Sequence, residues 1–180
     1  MEVSKPFIDG LLLLQPKVYA DDRGYFFESY NIEVIRRFGI MDNFQQDNES
    51  MSLKGVLRGL HFQKPPYAQG KLVRVVKGKV LDVAVDIRKN SSTYGKHFSV
   101  ELTGENKRML WIPEGFAHGF LTLENDTIFS YKCTHIYHRE SEEGLVWNDP
   151  DLNIDWGIGS PLVSDKDKLG VAFKNFKTPF

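Results

Sequence analysis

The segment Lys71–Ile87 reads KLVRVVKGKVLDVAVDI, and its alternating pattern decides the fold class. In its second half every other side chain is a branched aliphatic one: Leu81, Val83, Val85 and Ile87. A period of two predicts a β-strand with one apolar face. Residues 72–76 form a second apolar run, and Lys77-Gly78-Lys79 between the two runs is a turn signal. The segment therefore predicts a β-hairpin.

The same period recurs along the chain, for example at Phe98, Val100 and Leu102. Turn candidates separate many such short stretches, which favours an all-β sandwich or barrel. One short helix is predicted from Ile32 to Phe38, with Asn31 as N-cap and Gly39 as the stop, and the tail after Ser164 has room for another. Without a repeat or a linker-like tract, residues 1–180 are interpreted as a single domain.

Composition excludes several classes of function. The 180 residues carry 23 Lys and Arg against 24 Asp and Glu, a net charge of −1, so no bulk attraction to nucleic acid or anionic membrane is expected. The longest apolar run, Leu11–Leu14, is far shorter than a membrane helix. The start of the chain lacks the pattern of a signal peptide. Cys133 is the only cysteine, which suits a reducing compartment, so a cytoplasmic location is expected.

The densest group of chemically active residues lies between Gly55 and Lys71. Arg58, His61 and Lys71 could bind a phosphate, act as a base and stabilise an anion. The alternative is a strand with solvated charges, and strand parity places Arg58 and His61 on opposite faces. A β-bulge at Gly59 would re-aim one of them.

A second group runs from Trp111 to Phe120 and contains Pro113-x-Gly115-x-x-His118. This resembles the second half-motif of cupins, whose first half-motif in metal-binding members supplies a His-x-His pair and a glutamate. Here the matching place reads His61-Phe62-Gln63. Two histidines without a third make a poor divalent-metal site, so neither a catalytic metal nor another cofactor is expected.

A third group is the apolar strand predicted from Thr127 to Tyr137, where alternate residues from Phe129 to Tyr137 share one face. Such a row is usually core, although an inward Tyr131 hydroxyl needs a polar partner and can donate a proton. Asp167, in the charged tail, is expected from the residues alone to be a solvated carboxylate.

Together these stretches closely resemble the dTDP-4-dehydrorhamnose 3,5-epimerase family of dTDP-rhamnose biosynthesis. The matching segments keep their order over nearly the whole chain. They are residues 22–28, 46–50, 56–63, 68–73, 82–88, 111–120, 131–134, 147–149 and 164–167. The resemblance implies a cupin-type double-stranded β-helix, or jelly roll, with a few short helices, assembled as a homodimer.

The resemblance also implies a role for each matching residue. His61 would be the base paired with Asp167, Tyr131 the proton donor on the other face of the sugar, and Lys71 the group that steadies the enolate. Contacts to the dTDP-linked 4-keto-6-deoxy sugar would come from Arg23, Glu28, Gln46, Asp47, Asn48, Arg58, His118, Tyr137, Glu142 and Lys166. Arg58 would meet the diphosphate, and Arg23 with Glu28 would reach across the dimer.

Three other functions remain open at this point. A relative that epimerises one carbon, or a ketoisomerase, needs the same base and keto sugar. A non-catalytic sugar-binding cupin would not require His61, Lys71, Tyr131 and Asp167 together. A metal-dependent cupin oxygenase is disfavoured by Gln63.

Overall fold

The computed structural model describes all residues 1–180, and most regular structure in it is β. The strands are β1 (Glu2–Ser4), β2 (Leu12–Gln15), β3 (Val18–Asp21), β4 (Gly24–Phe27), β5 (Gln46–Ser52), β6 (Val56–Gln63), β7 (Lys71–Lys77), β8 (Lys79–Asp86), β9 (His97–Thr103), β10 (Met109–Ile112), β11 (Phe116–Thr122), β12 (Thr127–Cys133), β13 (Glu142–Gly144) and β14 (Leu162–Val163). One α-helix, α1 (Ile32–Arg36), and short 3₁₀ turns at Arg139–Ser141, Asp167–Leu169 and Phe173–Asn175 complete the regular elements.

Two sheets face each other across an apolar core. The first has the order β1-β2-β10-β7-β12-β5, and the second β13-β6-β11-β8-β9, with β14 added in parallel to β6. Val73 and Phe129 of the first sheet meet Val80, Ala84 and Phe120 of the second in this core. Two facing antiparallel sheets with this interleaved order form a jelly roll. The predicted all-β fold class is confirmed.

The predicted hairpin over residues 71–87 is wrong. Strand β7 pairs with β10 and β12, whereas β8 pairs with β9 and β11, so the two strands belong to different sheets. Gly78 makes the crossing with a φ of 80°, and a Cβ atom there would collide with Thr127. A turn signal between two apolar runs does not distinguish pairing in one sheet from crossing to the opposite sheet.

Strand β8 is buried on both faces, not on one as its alternation predicted. Val83, Val85 and Ile87 lie on the outer side of the second sheet, where Leu152 and Trp156 of the C-terminal segment cover them. The inner side carries Val80, Asp82 and Ala84, all fully buried. The C-terminal segment thus supplies a second apolar layer, and a charged residue of β8 faces the interior.

Helix α1 covers the outer side of the first sheet through Ile35, which packs with Ile40 in a third apolar cluster. Asn31 is its N-cap as predicted, since the side-chain oxygen accepts hydrogen bonds from the amides of Glu33 and Val34 at 2.9 and 3.3 Å. The helix ends at Arg36, two residues before the predicted Phe38. No helix has the length and hydropathy required to cross a membrane.

Candidate active site

A histidine–carboxylate pair lies between β6 and the 3₁₀ turn at residues 167–169. The Nε2 atom of His61 lies 2.5 Å from Oδ1 of Asp167. The Asp167 side chain is only 5% exposed, against 29% for His61, so the solvated carboxylate expected from the residues alone is wrong, whereas the pairing with His61 that the resemblance implied is present. Because a proton on Nε2 is shared with the carboxylate, the neutral ring keeps its lone pair on Nδ1. That tautomer suits His61 to accept a proton.

The environment of Asp167 keeps it ionised. Burial, the largest single cause, raises the pKa of this carboxyl, but the hydrogen bond and charge of His61, together with bonds to Ser164 and the Gly59 amide, lower the pKa below its ordinary value. Ser164 Oγ accepts a hydrogen bond from the Asp167 amide at 3.2 Å and holds the turn in place. A carboxylate that remains charged stabilises the imidazolium formed when His61 accepts a proton.

A bulge in β6 brings Arg58 and His61 to the same side of the sheet. In the pairing with β11, His61 lies opposite His118 and Arg58 opposite Phe120, so β6 has one extra residue between these positions. Gly59 sits in that interval with a φ of 121°, and a Cβ atom there would approach Gly119 Cα to 2.5 Å. The predicted bulge is confirmed, and it resolves the conflict with strand parity.

The residues brought together line a cleft of about 280 Å³. Seven ionisable side chains line it: Arg58, His61, Lys71, His118, Tyr131, Lys166 and Asp167. Five of them come from the paired strands β6, β7, β11 and β12, and the other two from the C-terminal segment. The three sequence groups therefore converge on one site.

Burial shifts the pKa values of two groups that line this cleft. It lowers the pKa of Lys71, with Cys133, Glu142 and Asp82 opposing the change. It raises the pKa of Tyr131, so the phenol is protonated at neutral pH. A buried phenol and a buried amine can both donate hydrogen bonds to an oxyanion or release a proton to a carbanion.

Asp82 is a site residue that sequence reasoning missed. Its Oδ2 lies 2.9 Å from Nε2 of His118, and both side chains are buried. The other oxygen, Oδ1, has no hydrogen-bond partner. Burial lowers the pKa of His118, while Asp82 acts in the opposite direction. The available signal was a charged residue within an otherwise apolar strand.

Four further residues that line the cleft were assigned no role from the sequence: Ser50, Phe120, Phe129 and Ser164. Serine and phenylalanine are common throughout β-proteins, so only the position of these residues in the folded structure identifies them as part of the cleft. Phe120 and Phe129 stack with ring centroids 4.1 Å apart and form an apolar wall of the cleft.

A neighbouring cavity of about 290 Å³ shares His61, Lys71 and Tyr131 with the cleft and extends it. Gln46, Asn48, Tyr137 and Glu142 also line it. The Tyr137 hydroxyl donates to Glu142 Oε2 at 2.6 Å, and Lys166 Nζ donates to the same oxygen at 2.5 Å. Burial raises the pKa of Glu142, but these two bonds, together with the charges of Lys166 and His61, lower the pKa below its ordinary value.

Strand β12 ends at Cys133, earlier than the predicted strand. Phe129, Tyr131 and Cys133 share its inward side as predicted. His135 and Tyr137 lie beyond the strand, so alternation does not place them. The Tyr137 ring is about half exposed, at 50%, and is free to contact a ligand.

Three predicted substrate contacts lie away from this cleft. Asp47 points to the opposite side of β5 from Gln46 and Asn48, and pairs with Lys132 at 2.8 Å. Arg23 stands at the exposed turn of the β3–β4 hairpin and pairs with Asp21 at 2.6 Å. Glu28, just after β4, accepts a hydrogen bond from Asn31 at 2.7 Å. This chain alone does not bring Arg23, Glu28 or Asp47 to the site.

Gln63 occupies the place where metal-binding cupins have their second histidine, and its side chain bonds only to backbone. Nε2 donates to the carbonyls of Tyr67 and Ile136, and Oε1 accepts from the amide of His138. No group of three or more His, Cys, Asp or Glu side chains is arranged to hold a metal ion.

The fold and the cleft define a class: a cupin-type jelly roll whose acid–base groups are placed for proton transfer. Comparison with known proteins makes this specific. The family model described as dTDP-4-dehydrorhamnose 3,5-epimerase matches residues 5–175. The chain belongs to the dTDP-4-dehydrorhamnose 3,5-epimerase family.

Individual relatives agree with this assignment. The dTDP-4-dehydrorhamnose 3,5-epimerase of Shigella flexneri is 53% identical over 174 residues, 96% of either chain. A crystal structure of the dTDP-6-deoxy-D-glucose-3,5-epimerase of Legionella pneumophila in complex with dTDP-4-keto-L-rhamnose has a TM-score of 0.94 at 48% identity, covering 98% of this chain and 94% of that one. A 3'-monoepimerase of Streptomyces bikiniensis in complex with dTDP-quinovose has a TM-score of 0.89 at 31% identity, covering 94% and 86%.

Proposed function

We propose that this protein converts dTDP-4-dehydro-6-deoxy-D-glucose to dTDP-4-dehydro-L-rhamnose by epimerisation at C3 and C5. The observation that carries the proposal is one cleft lined by the His61–Asp167 pair, Lys71 and Tyr131. A base, an oxyanion donor and an acid are the three groups that inversion beside a ketone requires. Family membership supports the choice of a dTDP-linked substrate.

The C4 ketone acidifies the C–H bonds at C3 and C5, because the electron pair left behind is delocalised into the carbonyl. His61 takes the proton on Nδ1 while Asp167 stabilises the imidazolium through Nε2. Lys71 donates a hydrogen bond to the enolate oxygen. Tyr131 then delivers its proton to carbon from the other face, the phenolate regains a proton from solvent, and the His61 imidazolium releases its proton to solvent. Two groups are needed because a single one returns the proton to the face it came from.

We assign binding of the nucleotide to two cations that line the cleft, Arg58 and Lys166, and to the exposed ring of Tyr137 in the neighbouring cavity. Arg58 is held by a 3.2 Å hydrogen bond from its Nε to Ser52 Oγ, which leaves the terminal nitrogens for the diphosphate. Lys166 adds a second cation, and Tyr137 offers a ring face to the nucleobase. Gln46, Asn48, His118 and Glu142 are assigned the remaining polar contacts.

We further propose a cytoplasmic homodimer of single-domain chains. The position of Arg23 and Glu28, away from their own cleft, supports a role in the cleft of a second copy. Tyr19, Tyr25 and Phe26 on the same hairpin are more than half exposed, as expected of side chains that a partner covers. One free cysteine suits a reducing compartment.

A second candidate is epimerisation of one carbon only, which the likeness to a 3'-monoepimerase favours. The deciding experiment incubates the protein with the 4-keto sugar nucleotide in D₂O and follows it by NMR. Inversion with deuterium at both C3 and C5 supports the main proposal. Deuterium at one carbon identifies a monoepimerase, and no uptake identifies a non-catalytic sugar-binding protein.

A further inference from the structure

Glutamine side chains bond to the backbone of every residue of the loop 134–138, which follows β12, and only Thr134 at its start also donates its amide to the backbone carbonyl of Gly70. Residues 135–137 make no hydrogen bond to other backbone. Their backbone groups, and those of the residues beside them, bond instead to a set that we name the glutamine clamp: Gln45, Gln46, Gln63 and Gln69. Gln45 and Gln69 donate to the carbonyls of Thr134 and His135 at 2.6 and 2.7 Å.

The other two members of the clamp fix the residues around Tyr137. Gln46 Oε1 accepts from the Tyr137 amide at 2.7 Å. Gln63 donates to Ile136 at 3.2 Å and accepts from His138 at 2.7 Å, so it bonds the residues on either side of Tyr137. Its second N–H donates to Tyr67 at 2.6 Å. Consecutive residues of an irregular loop are thereby tied to β5, β6 and the loop before β7.

The chemistry of Gln63 explains why an amide stands here. The side chain is 4% exposed and uses two N–H donors and one acceptor at once. A carboxylate would set an oxygen against two carbonyl oxygens, and an imidazole has at most two hydrogen-bonding atoms. Gln63 follows the base His61 by two residues on the same strand, so it connects the base strand to the loop of Tyr137.

We propose that Gln63 is a positioning residue for nucleotide recognition, acting through Tyr137. This rests on the proposed function, which assigns Tyr137 to the nucleotide. An ordered loop presents the ring before the ligand arrives, whereas a free loop must lose its conformational entropy on binding. Gln63 should therefore control nucleotide affinity and leave proton transfer at His61 unaffected.

The clamp is tested first without ligand, by amide hydrogen exchange. The Tyr137 and His138 amides should be protected in the wild type although they lie outside any strand. Gln63→Glu should accelerate their exchange, whereas Gln45→Ala, which removes the clamp bond to Thr134 at the start of the loop, should leave both protected. Rapid exchange of both amides in the wild type would overturn the proposal.

The positioning role is tested by a double-mutant cycle on the Kd for dTDP, measured by calorimetry. Gln63→Glu should weaken binding about tenfold, roughly the worth of one net hydrogen bond, and should have almost no effect when Tyr137→Ala is already present. The kcat at saturating substrate should stay within about twofold of the wild type. Equal weakening in both backgrounds, or a fall in kcat with unchanged Kd, would overturn the role.

A nearly isosteric variant covers the case in which Gln63→Glu does not fold. Gln63→Met removes all three bonds without placing a charge against the carbonyls, and the same cycle applies to it. Measuring turnover of the keto sugar distinguishes failure of the proposed function from failure of the positioning role of Gln63. A wild type that binds dTDP but leaves the keto sugar unchanged refutes the proposed function, while the exchange and affinity results on Gln63 still stand. Absence of dTDP binding overturns both.

Discussion

Replacing Tyr131 by Phe tests the two-sided mechanism most directly, because it removes one hydroxyl and keeps the ring. The ring packs against Phe129 with centroids 5.9 Å apart, and this contact survives the change. Burial and nearby charges shift the pKa of the Tyr131 hydroxyl, and the hydroxyl makes no hydrogen bond to another residue. The free energy of unfolding should therefore change by at most about 1 kcal/mol, the net worth of a hydrogen bond.

The catalytic effect should be much larger. A positioned general acid commonly contributes about 10²–10⁴-fold, so inverted product should fall by that factor. Burial raises the pKa of Tyr131, which keeps the donor protonated over the working pH range. His61 and Asp167 are untouched, so C–H cleavage and return of a deuteron to the same face should continue.

The assay is NMR in D₂O, in which exchange into the starting sugar and formation of inverted product are separate signals. The expected result is continued exchange with little product. Tyr94→Phe is the matched control, since Tyr94 packs against Phe173 outside the cleft and its hydroxyl should not matter. Epimerisation at the wild-type rate by the Tyr131 variant would refute the assignment. Loss of both signals with an unchanged melting temperature would show that Tyr131 serves binding instead.

Four further outcomes are expected. His61→Asn should abolish deuterium uptake at both carbons and leave dTDP binding intact. Asp167→Asn should have a milder effect because the imidazole remains. Deuterium uptake at the wild-type rate in the His61 variant would show that the base is misassigned. Arg58→Ala should raise the Kd for dTDP strongly, with only partial rescue by Arg58→Lys, which lacks the bidentate fork; unchanged affinity in calorimetry would remove Arg58 from the site. Burial raises the pKa of Asp167, but the hydrogen bond and charge of His61, with bonds to Ser164 and the Gly59 amide, together lower it below the ordinary value. Ionised Asp167 therefore stabilises the folded state above the unfolded carboxyl pKa of about 4. This contribution is lost as the pH falls through the pKa of Asp167 in the folded state. Wild type and Asp167→Asn should accordingly differ in melting temperature near neutral pH and converge in strong acid. Because Gln63 bonds only to backbone, turnover should survive EDTA; loss on chelation and recovery with Zn²⁺, Mn²⁺ or Fe²⁺ would contradict this.

The sequence was informative wherever a local pattern has one structural solution. Alternation predicted strands because successive side chains of a strand must point to opposite faces. Asn31 predicted the start of α1 because a short polar side chain satisfies free amides there. The order of the matching segments predicted the family, and with it the grouping of His61, Lys71 and Tyr131 in one cleft.

Local pattern misled where the partner of a segment lies far along the chain. The turn at Gly78 looked the same whether β7 and β8 paired or crossed between sheets. Asp167 looked like a solvated tail residue because its partner, His61, lies 106 residues earlier. Asp82 and Gln63 gave no local sign of their bonds to His118 and to the loop of Tyr137.

The sequence by itself therefore determined the strands, the family and the residue types available for catalysis. Only the tertiary structure decided which strands pair and that the C-terminal segment folds back to bury Asp167. The physical reason is how far along the chain the interacting residues lie from one another. Periodicity and capping depend on neighbours within a few residues, whereas sheet partnership, burial and the ionisation of a carboxylate depend on groups that only the closed jelly roll brings together.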